Sequence, residues 1–191
     1  MLGAHSMARP NPAPGGQMLA RWQQLSRLPF GNRLFSWMVG RMAPYTGSVG
    51  GVYTDLRPGF ARVELRDRRG VRNHLASVHA VALVNLAEMT SGAALLTALP
   101  AGVRGIVTGL RIEYLKKARG TLVATTTAGA PAVIVTPISH EVQATIVDAD
   151  GELVAACTVT WRLSPRDDAR HRVDHSVDHT GAIGTGVLAR R

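Results

Sequence analysis

Residues 78–99 read VHAVALVNLAEMTSGAALLTAL, and the run ends at Pro100. A helix formed by this segment is apolar on every side, which is typical of a helix buried in the middle of a fold. Its length approaches that of a membrane span, but Asn85 and Glu88 lie at its centre and strand-like segments flank it. The segment therefore predicts one long buried helix in a soluble protein.

Six shorter segments around this helix have the composition of β-strands. In 60–66, Ala61, Val63 and Leu65 alternate with charged residues, as in a strand with one buried and one solvated face. Four segments follow the helix directly, and the Asp-Gly pair at 150–151 predicts a hairpin between the last two. An apolar helix set against an antiparallel sheet predicts an α+β fold in which the sheet wraps the helix. The predicted strands are 49–55, 60–66, 105–115, 121–128, 139–147 and 153–163.

The segments before and after the predicted sheet differ from it in amino-acid composition. Residues 1–16 are rich in proline and glycine and are predicted to be a disordered lead-in. In 17–47, apolar residues recur at helical spacing with arginines between them, and Pro29 is expected to break this amphipathic extension into two short helices. Such helices can lie on a membrane surface, but we favour packing on the domain. The domain itself is predicted to span 48–164, and 165–191 is predicted to be a polar tail.

Composition limits the classes of function. The 191 residues hold one ordinary domain with appendages, and the net charge of +9 arises mainly from the first 47 residues, which contain five arginines and no acidic residue. Aromatic residues make up only 5% of the chain and no nucleic-acid motif occurs, so we expect no nucleic-acid partner. The one cysteine, Cys157, lies on the apolar face of the last predicted strand, which favours a core residue in a cytoplasmic protein.

Three polar residues recur at a defined spacing around the start of the buried helix. Asn73 is followed after six residues by His79, which opens the helix, and after nine more by Glu88. This spacing resembles the signature of the hotdog-fold thioesterases related to the phenylacetic-acid-degradation protein. A later stretch, from Gly105 to a Tyr-Leu-Lys-Lys sequence at 114–117, is similar to the next strand of that family.

The resemblance extends over 49–163, and the helical extension before it is similar to that of uncharacterised members of the same branch. It implies a hotdog fold, acyl-CoA thioesterase activity, and a homodimer or dimer of dimers. In that family the acidic residue of one subunit faces the histidine end of the helix in the other. The resemblance therefore implies a site shared between two subunits.

The same arrangement has a physical basis. Thioester hydrolysis needs a group that polarises the carbonyl and a carboxylate that acts as base or nucleophile. The backbone N–H of Ala80 at the helix start is expected to polarise the carbonyl, with His79 fixing that end, Glu88 as base or nucleophile and Asn73 as an orienting group. Nine helical residues span about 13 Å, so one chain cannot bring His79 and Glu88 to the same carbonyl. This separation also predicts a shared site.

Two departures from the family pattern leave a second function open. The family usually has two glycines after the histidine, but this chain has Ala80 and Val81. The hydroxyl expected on the following strand is displaced from position 107 to Thr108. Structural roles are alternatives for the signature residues: a neutralised carboxylate for Glu88, a core histidine for His79 and a turn former for Asn73. A hotdog protein that binds acyl-CoA or lipid without turnover is therefore the alternative function.

The remaining polar residues complete the predicted site. Asn85 lies one turn before Glu88 and is expected to orient it or to contact substrate, with a hydrogen bond in the core as the alternative. Thr108 is expected to contact substrate. A basic group is expected to meet the phosphates of CoA; it comprises Arg68, Arg69, Arg72, Lys116, Lys117 and Arg119.

Metal and cofactor chemistry have little support in the sequence. His171, His175 and His179 recur every four residues, but their segment has no apolar face, so we expect no metal site there. Ser77 and Ser91 lack the sequence context of a serine nucleophile. We expect no cofactor.

Overall fold

The structure is a computed structural model that describes residues 14–166. Most of the predicted lead-in, nearly all of the predicted tail and the three histidines at 171, 175 and 179 lie outside the described residues. The described chain forms four helices, six strands and a short 3-10 turn at Arg69–Val71. The helices are α1 Pro14–Leu25, α2 Gly31–Met42, α3 Pro44–Val49 and α4 Ala80–Ala98. The strands are β1 Val52–Arg57, β2 Phe60–Leu65, β3 Val103–Tyr114, β4 Leu122–Thr127, β5 Ile138–Val147 and β6 Leu153–Pro165.

The six strands form one antiparallel sheet in the order β1-β2-β4-β5-β6-β3, with β1 and β3 at its edges. Helix α4 packs across the sheet and contacts every strand. It is long and apolar enough to cross a membrane, yet 72% of its most apolar window is buried inside the fold. The predicted α+β hotdog fold, with helices before the domain, is confirmed.

Local sequence signals account for the β5–β6 hairpin. The Asp148 carboxylate accepts hydrogen bonds from the backbone N–H groups of Asp150 (3.1 Å) and Glu152 (3.0 Å), and Gly151 takes a left-handed conformation with φ 80°. These bonds fix the turn within the chain segment that forms it. On β6, Cys157 faces the core, and burial raises the pKa of its thiol. The prediction that Cys157 is a core residue is confirmed.

The N-terminal helices pack on the hotdog domain through an aromatic cluster. Phe35 of α2 makes edge-to-face contacts with Trp22 of α1 (5.1 Å between ring centroids) and with Tyr53 of β1 (5.4 Å). All three rings are buried. The predicted packing of these helices on the domain is confirmed for this inner face.

A third helix, α3, spans the end of the predicted helical extension and the start of the predicted domain, whereas the sequence predicted two helices before the sheet. Pro44 starts α3 at its first turn, where a missing N–H costs nothing, and Gly50 ends it with φ 75°. The first strand, predicted from residue 49, therefore begins at Val52. Likewise, α1 begins at Pro14, so the last residues of the predicted lead-in are helical.

Phe30 sets the break between α1 and α2 and takes a conformation that is unusual for a bulky residue. Its φ is 61°, and its side chain is 78% exposed. We expect Phe30→Gly to keep the full stability or to gain up to about 1 kcal/mol, because glycine adopts this conformation without strain and no buried contact is lost. Chemical denaturation of both proteins measures this difference. A loss of more than about 1 kcal/mol, the cost of glycine in an ordinary conformation, would show that the ring stabilises the fold.

Removing residues 1–47 should cause aggregation. The deletion takes away Trp22 and Phe35 and uncovers Tyr53, and the loss of a buried phenylalanine alone corresponds to about 3–5 kcal/mol. The uncovered apolar surface would then be available for association. Size-exclusion chromatography with light scattering measures the outcome. A truncated protein that is monodisperse and melts like the full chain would contradict this role of the helices.

Candidate functional site at the start of helix α4

The loop that precedes α4 is organised by Asn73. Its side-chain oxygen accepts hydrogen bonds from the backbone N–H groups of Leu75 (2.9 Å) and Ser77 (3.3 Å) and from the Ser77 hydroxyl (3.2 Å). Its backbone N–H donates to the carbonyl of Ser77 (2.8 Å), which closes the loop. The side-chain nitrogen of Asn73 has no partner in the described part of the chain. Asn73 thus acts as a turn former while one donor stays free.

His79 caps the N-terminus of α4. Its Nδ1 accepts a hydrogen bond from the backbone N–H of Val81 (3.1 Å), so its proton lies on Nε2. Its carbonyl accepts from the N–H groups of Ala82 (2.9 Å) and Leu83 (3.2 Å). Of the four amides in the first turn, only that of Ala80 has no acceptor among residues 14–166. The helix start therefore presents one free N–H beside an exposed histidine, where the helix dipole favours negative charge.

A cavity of about 420 Å³ opens at this helix start. It lies between α3, the 3-10 turn and the first turn of α4, and the exposed side chain of Val81 lies at its wall. Its lining residues are Tyr45, Ser48, Val49, Gly70, Val71, Arg72, His79, Val81 and Ala82. The cavity places Arg72 and His79 on one open surface.

Glu88 lies nine residues further along α4 and is half-buried. Among the described residues, none forms a hydrogen bond or ion pair with its carboxylate. Its carbonyl accepts from the Ser91 hydroxyl (3.0 Å), which is a bond within the helix. A carboxylate in the middle of an apolar core helix, without a neutralising partner among residues 14–166, has a free energy cost that a purely structural residue would not need. Glu88 is therefore free to act on a group brought from outside.

His79 and Glu88 do not meet within this chain, because nine residues of α4 separate them by about 13 Å. The sheet offers an edge at which a second subunit would fit. Strand β3 is an edge strand of 12 residues, and Leu110 and Tyr114 on its helix-facing side are exposed. A long edge with apolar side chains is unusual on an isolated subunit.

Three of the six basic residues of the predicted CoA-phosphate site form hydrogen bonds or ion pairs with other described residues. Arg68 donates to the carbonyls of Ser48 (2.7 Å) and Val49 (3.0 Å) and so caps the C-terminus of α3. Lys116 is paired with Asp148 and Glu152. These two carboxylates raise the pKa of Lys116, so its charge is already neutralised locally.

Arg72 is the third engaged basic residue. Its Nε donates to the Asp67 carboxylate at 2.6 Å, and this hydrogen bond is the main cause that lowers the pKa of Asp67. The remaining three, Arg69, Lys117 and Arg119, are exposed and have no hydrogen bond or ion pair within 14–166. They are the basic side chains that are free for a phosphate.

Two predicted substrate contacts lie away from the cavity. Asn85 is buried and donates to the Thr46 hydroxyl (3.1 Å), which joins α4 to α3, and its side-chain oxygen has no partner in the described chain. Its hydrogen bond does not go to Glu88. Thr108 lies where the β3–β6 register shifts, and its hydroxyl donates to the Thr160 carbonyl (3.3 Å). The assignment of both to substrate contact stays a prediction.

Comparison with known proteins places the chain in a family. A family model described as a domain of unknown function, DUF4442, matches residues 31–163. The chain belongs to the DUF4442 family. A structural-genomics target of known structure is 34% identical, with a TM-score of 0.67 and coverage of 80% of this chain and 99% of that one. No match was found among curated proteins.

Two further solved structures share the fold of this DUF4442 protein. A Pseudomonas aeruginosa protein described as a probable thioesterase of unknown function is 22% identical, covering 73% of this chain and 97% of that one, with a TM-score of 0.62. A mutant of the phenylacetic acid degradation protein from Thermus thermophilus is 21% identical, covering 62% and 97%, with a TM-score of 0.53. The predicted resemblance to the hotdog-fold thioesterases is confirmed at the level of the fold.

The DUF4442 structure also contains features that the sequence did not indicate. The Tyr114 hydroxyl, at the end of β3, donates to the Ala80 carbonyl (3.3 Å) and so ties that strand to the start of α4. A second cavity, of about 470 Å³, lies between α2, α3 and β1, with Met89 of α4 in its wall. The tyrosine was part of the stretch that resembles the family, but its contact with α4 joins residues far apart in sequence.

Proposed function

We propose that this DUF4442 protein hydrolyses acyl thioesters, with acyl-CoA as substrate, at a site shared between two subunits of a homodimer. The free N–H of Ala80, next in the chain to His79, which lines an open cavity, is the observation that carries the proposal. The description of the Pseudomonas aeruginosa structure as a probable thioesterase supports the same reaction. A cytoplasmic location fits a reaction on acyl-CoA.

In the proposed reaction, the Ala80 N–H donates to the thioester carbonyl oxygen, and the His79 Nε2–H lies beside it. Glu88 of the second subunit takes a proton from water as the oxygen of that water bonds to the carbonyl carbon. The carbon–sulfur bond then breaks, and the proton passes from Glu88 to the leaving thiolate. The products are a carboxylic acid and the free thiol of CoA.

The CoA part of the substrate would lie along the basic residues that have no partner within the described residues. Arg69 follows Arg68, which caps α3, while Lys117 and Arg119 follow Lys116 after β3. The free side-chain nitrogen of Asn73 would orient the thioester from the loop. Phosphates favour such exposed arginine and lysine side chains because they bind through charge-assisted hydrogen bonds.

A panel of acyl-CoA esters tests the function directly. The full-length protein should release free thiol from at least one acyl-CoA, and release should follow saturation kinetics. A chain-length series then gives the acyl preference. The absence of thiol release across short, medium, long and aromatic acyl groups, with intact folded protein, would exclude the thioesterase proposal.

Binding of acyl-CoA without turnover is the second candidate function, and the position of the Val81 side chain favours it. Its side chain is 48% exposed and stands in the wall of the cavity, where the family usually has a glycine. If acyl-CoA binds without thiol release, the double variant Ala80→Gly and Val81→Gly should gain turnover, because the substrate can then approach the amide. Continued inactivity of that variant would remove this explanation.

A further inference from the structure

Helix α2 has a second row of large side chains, which is exposed beside the 470 Å³ cavity and separate from the inner face that packs on the domain. Phe30, Leu34 and Trp37 are 78%, 48% and 63% exposed, and Arg33 and Arg41 lie among them. These five residues follow the spacing i, i+3, i+4, i+7 and i+11, so they form one stripe along the helix, which we call the outer stripe. Phe35 on the inner face is fully buried. A helix that is apolar on both faces is ordinarily covered on both faces.

The charge of the outer stripe indicates the chemistry of what covers it. Arg33 lies 6.0 Å from the centre of the Phe30 ring, and Arg41 lies 5.8 Å from that of Trp37, so each arginine accompanies an exposed aromatic ring. The helices from residue 14 to 49 contain four arginines and no acidic residue. A symmetric contact between two copies of the stripe would bring these arginines together without a carboxylate between them. A partner that complements both the arginines and the aromatic rings is anionic at its surface and apolar inside.

We propose that the outer stripe docks this protein on the surface of an anionic lipid bilayer. Aromatic rings at the level of the headgroups and arginines that meet anionic phosphates are the pattern of a helix lying in a membrane interface. The conformation of Phe30 agrees with this role, because its backbone is left-handed and its ring is 78% exposed to solvent. Leu28 and Met42 of the same helical extension are also exposed.

The fluorescence of the three tryptophans can report docking of the outer stripe. Trp22 and Trp161 are buried, whereas Trp37 lies on the outer stripe. Adding vesicles of phosphatidylcholine with phosphatidylserine should shift the tryptophan emission to the blue, and the protein should sediment with these vesicles. Vesicles of phosphatidylcholine alone should give little of either effect, and salt should weaken binding. In Trp37→Phe the blue shift should disappear while sedimentation persists.

Substitutions on the stripe and matched controls test the residues. Arg33→Gln with Arg41→Gln should weaken vesicle binding about thirtyfold, the equivalent of about 1 kcal/mol per arginine. The control Arg62→Gln with Arg162→Gln removes the same charge from exposed positions on the sheet and should leave binding unchanged. Phe30→Gly should weaken binding without lowering the melting temperature. Val133→Ser with Val135→Ser, which removes two exposed valines from the β4–β5 loop, should not weaken it.

Three results would overturn the proposal. The first is no sedimentation with anionic vesicles. The second is equal binding to both kinds of vesicle, because an apolar contact alone does not need the arginines. The third is a blue shift of Trp37 on concentrating the protein without lipid, which would make the outer stripe a contact between copies of this chain. None of these results bears on thiol release, so the thioesterase proposal is tested independently.

Discussion

Replacing Glu88 by glutamine should lower turnover of the preferred acyl-CoA by about a hundredfold or more, the range found when a general base is removed. Glutamine has nearly the same shape and cannot accept the proton. Because the Glu88 carboxylate has no partner in the described part of its own chain, the substitution breaks no hydrogen bond or ion pair that stabilises the fold. The melting temperature and the Km should therefore stay close to those of the unmodified protein, while kcat falls.

A matched control separates this effect from a general loss of charge. Glu141 on β5 is exposed on the sheet, and its carboxylate has no hydrogen bond or ion pair within residues 14–166. Glu141→Gln should leave kcat unchanged. If Glu88→Gln retains the activity of the unmodified protein, Glu88 is not the base or nucleophile. If both variants lose activity equally, the effect of Glu88 is electrostatic and not specific to the site.

Mixing two inactive variants should restore activity if the site is shared. A His79→Ala chain supplies Glu88, and a Glu88→Gln chain supplies His79, so a dimer of the two contains one site with both residues intact. Random exchange makes about half of the dimers mixed, and one of their two sites is complete, so about a quarter of the original activity should return. This expectation follows from the length of α4 and does not depend on which acyl chain is hydrolysed.

Subunit exchange must be shown in the same mixture, for example by differently tagged chains that purify together. The control is Glu88→Gln mixed with the double variant His79→Ala and Glu88→Gln, which contains no intact pair and should stay inactive. Exchange without recovery would mean that both residues act within one chain, or that His79 does not belong to the site. Recovery close to the full activity would mean that the variants were not inactive in the dimer.

The sequence by itself determined the order of the elements and the start of the central helix. The largely apolar run of 22 residues around Glu88 is removed from water when it lies in a core, and it forms the buried helix α4. Asp148 and Gly151 specify the last hairpin through contacts within five residues, and the break near Phe30 lies where Pro29 predicts it. These features depend on residues that are neighbours in the chain, so their chemistry can be read without knowing the fold.

Only the tertiary structure decided which of the predicted site residues are free to act. Asn85 bonds Thr46, 39 positions away, and Lys116 pairs with Asp148 and Glu152 on the neighbouring hairpin. The third helix at Pro44–Val49, which supplies Thr46, was not predicted either. A polar side chain is available for substrate only if the packing of distant elements brings no partner within hydrogen-bond distance of it. The spacing of residues along the chain contains no information about that distance, and for this reason the sequence could only propose site residues, while the fold shows which of them already have partners.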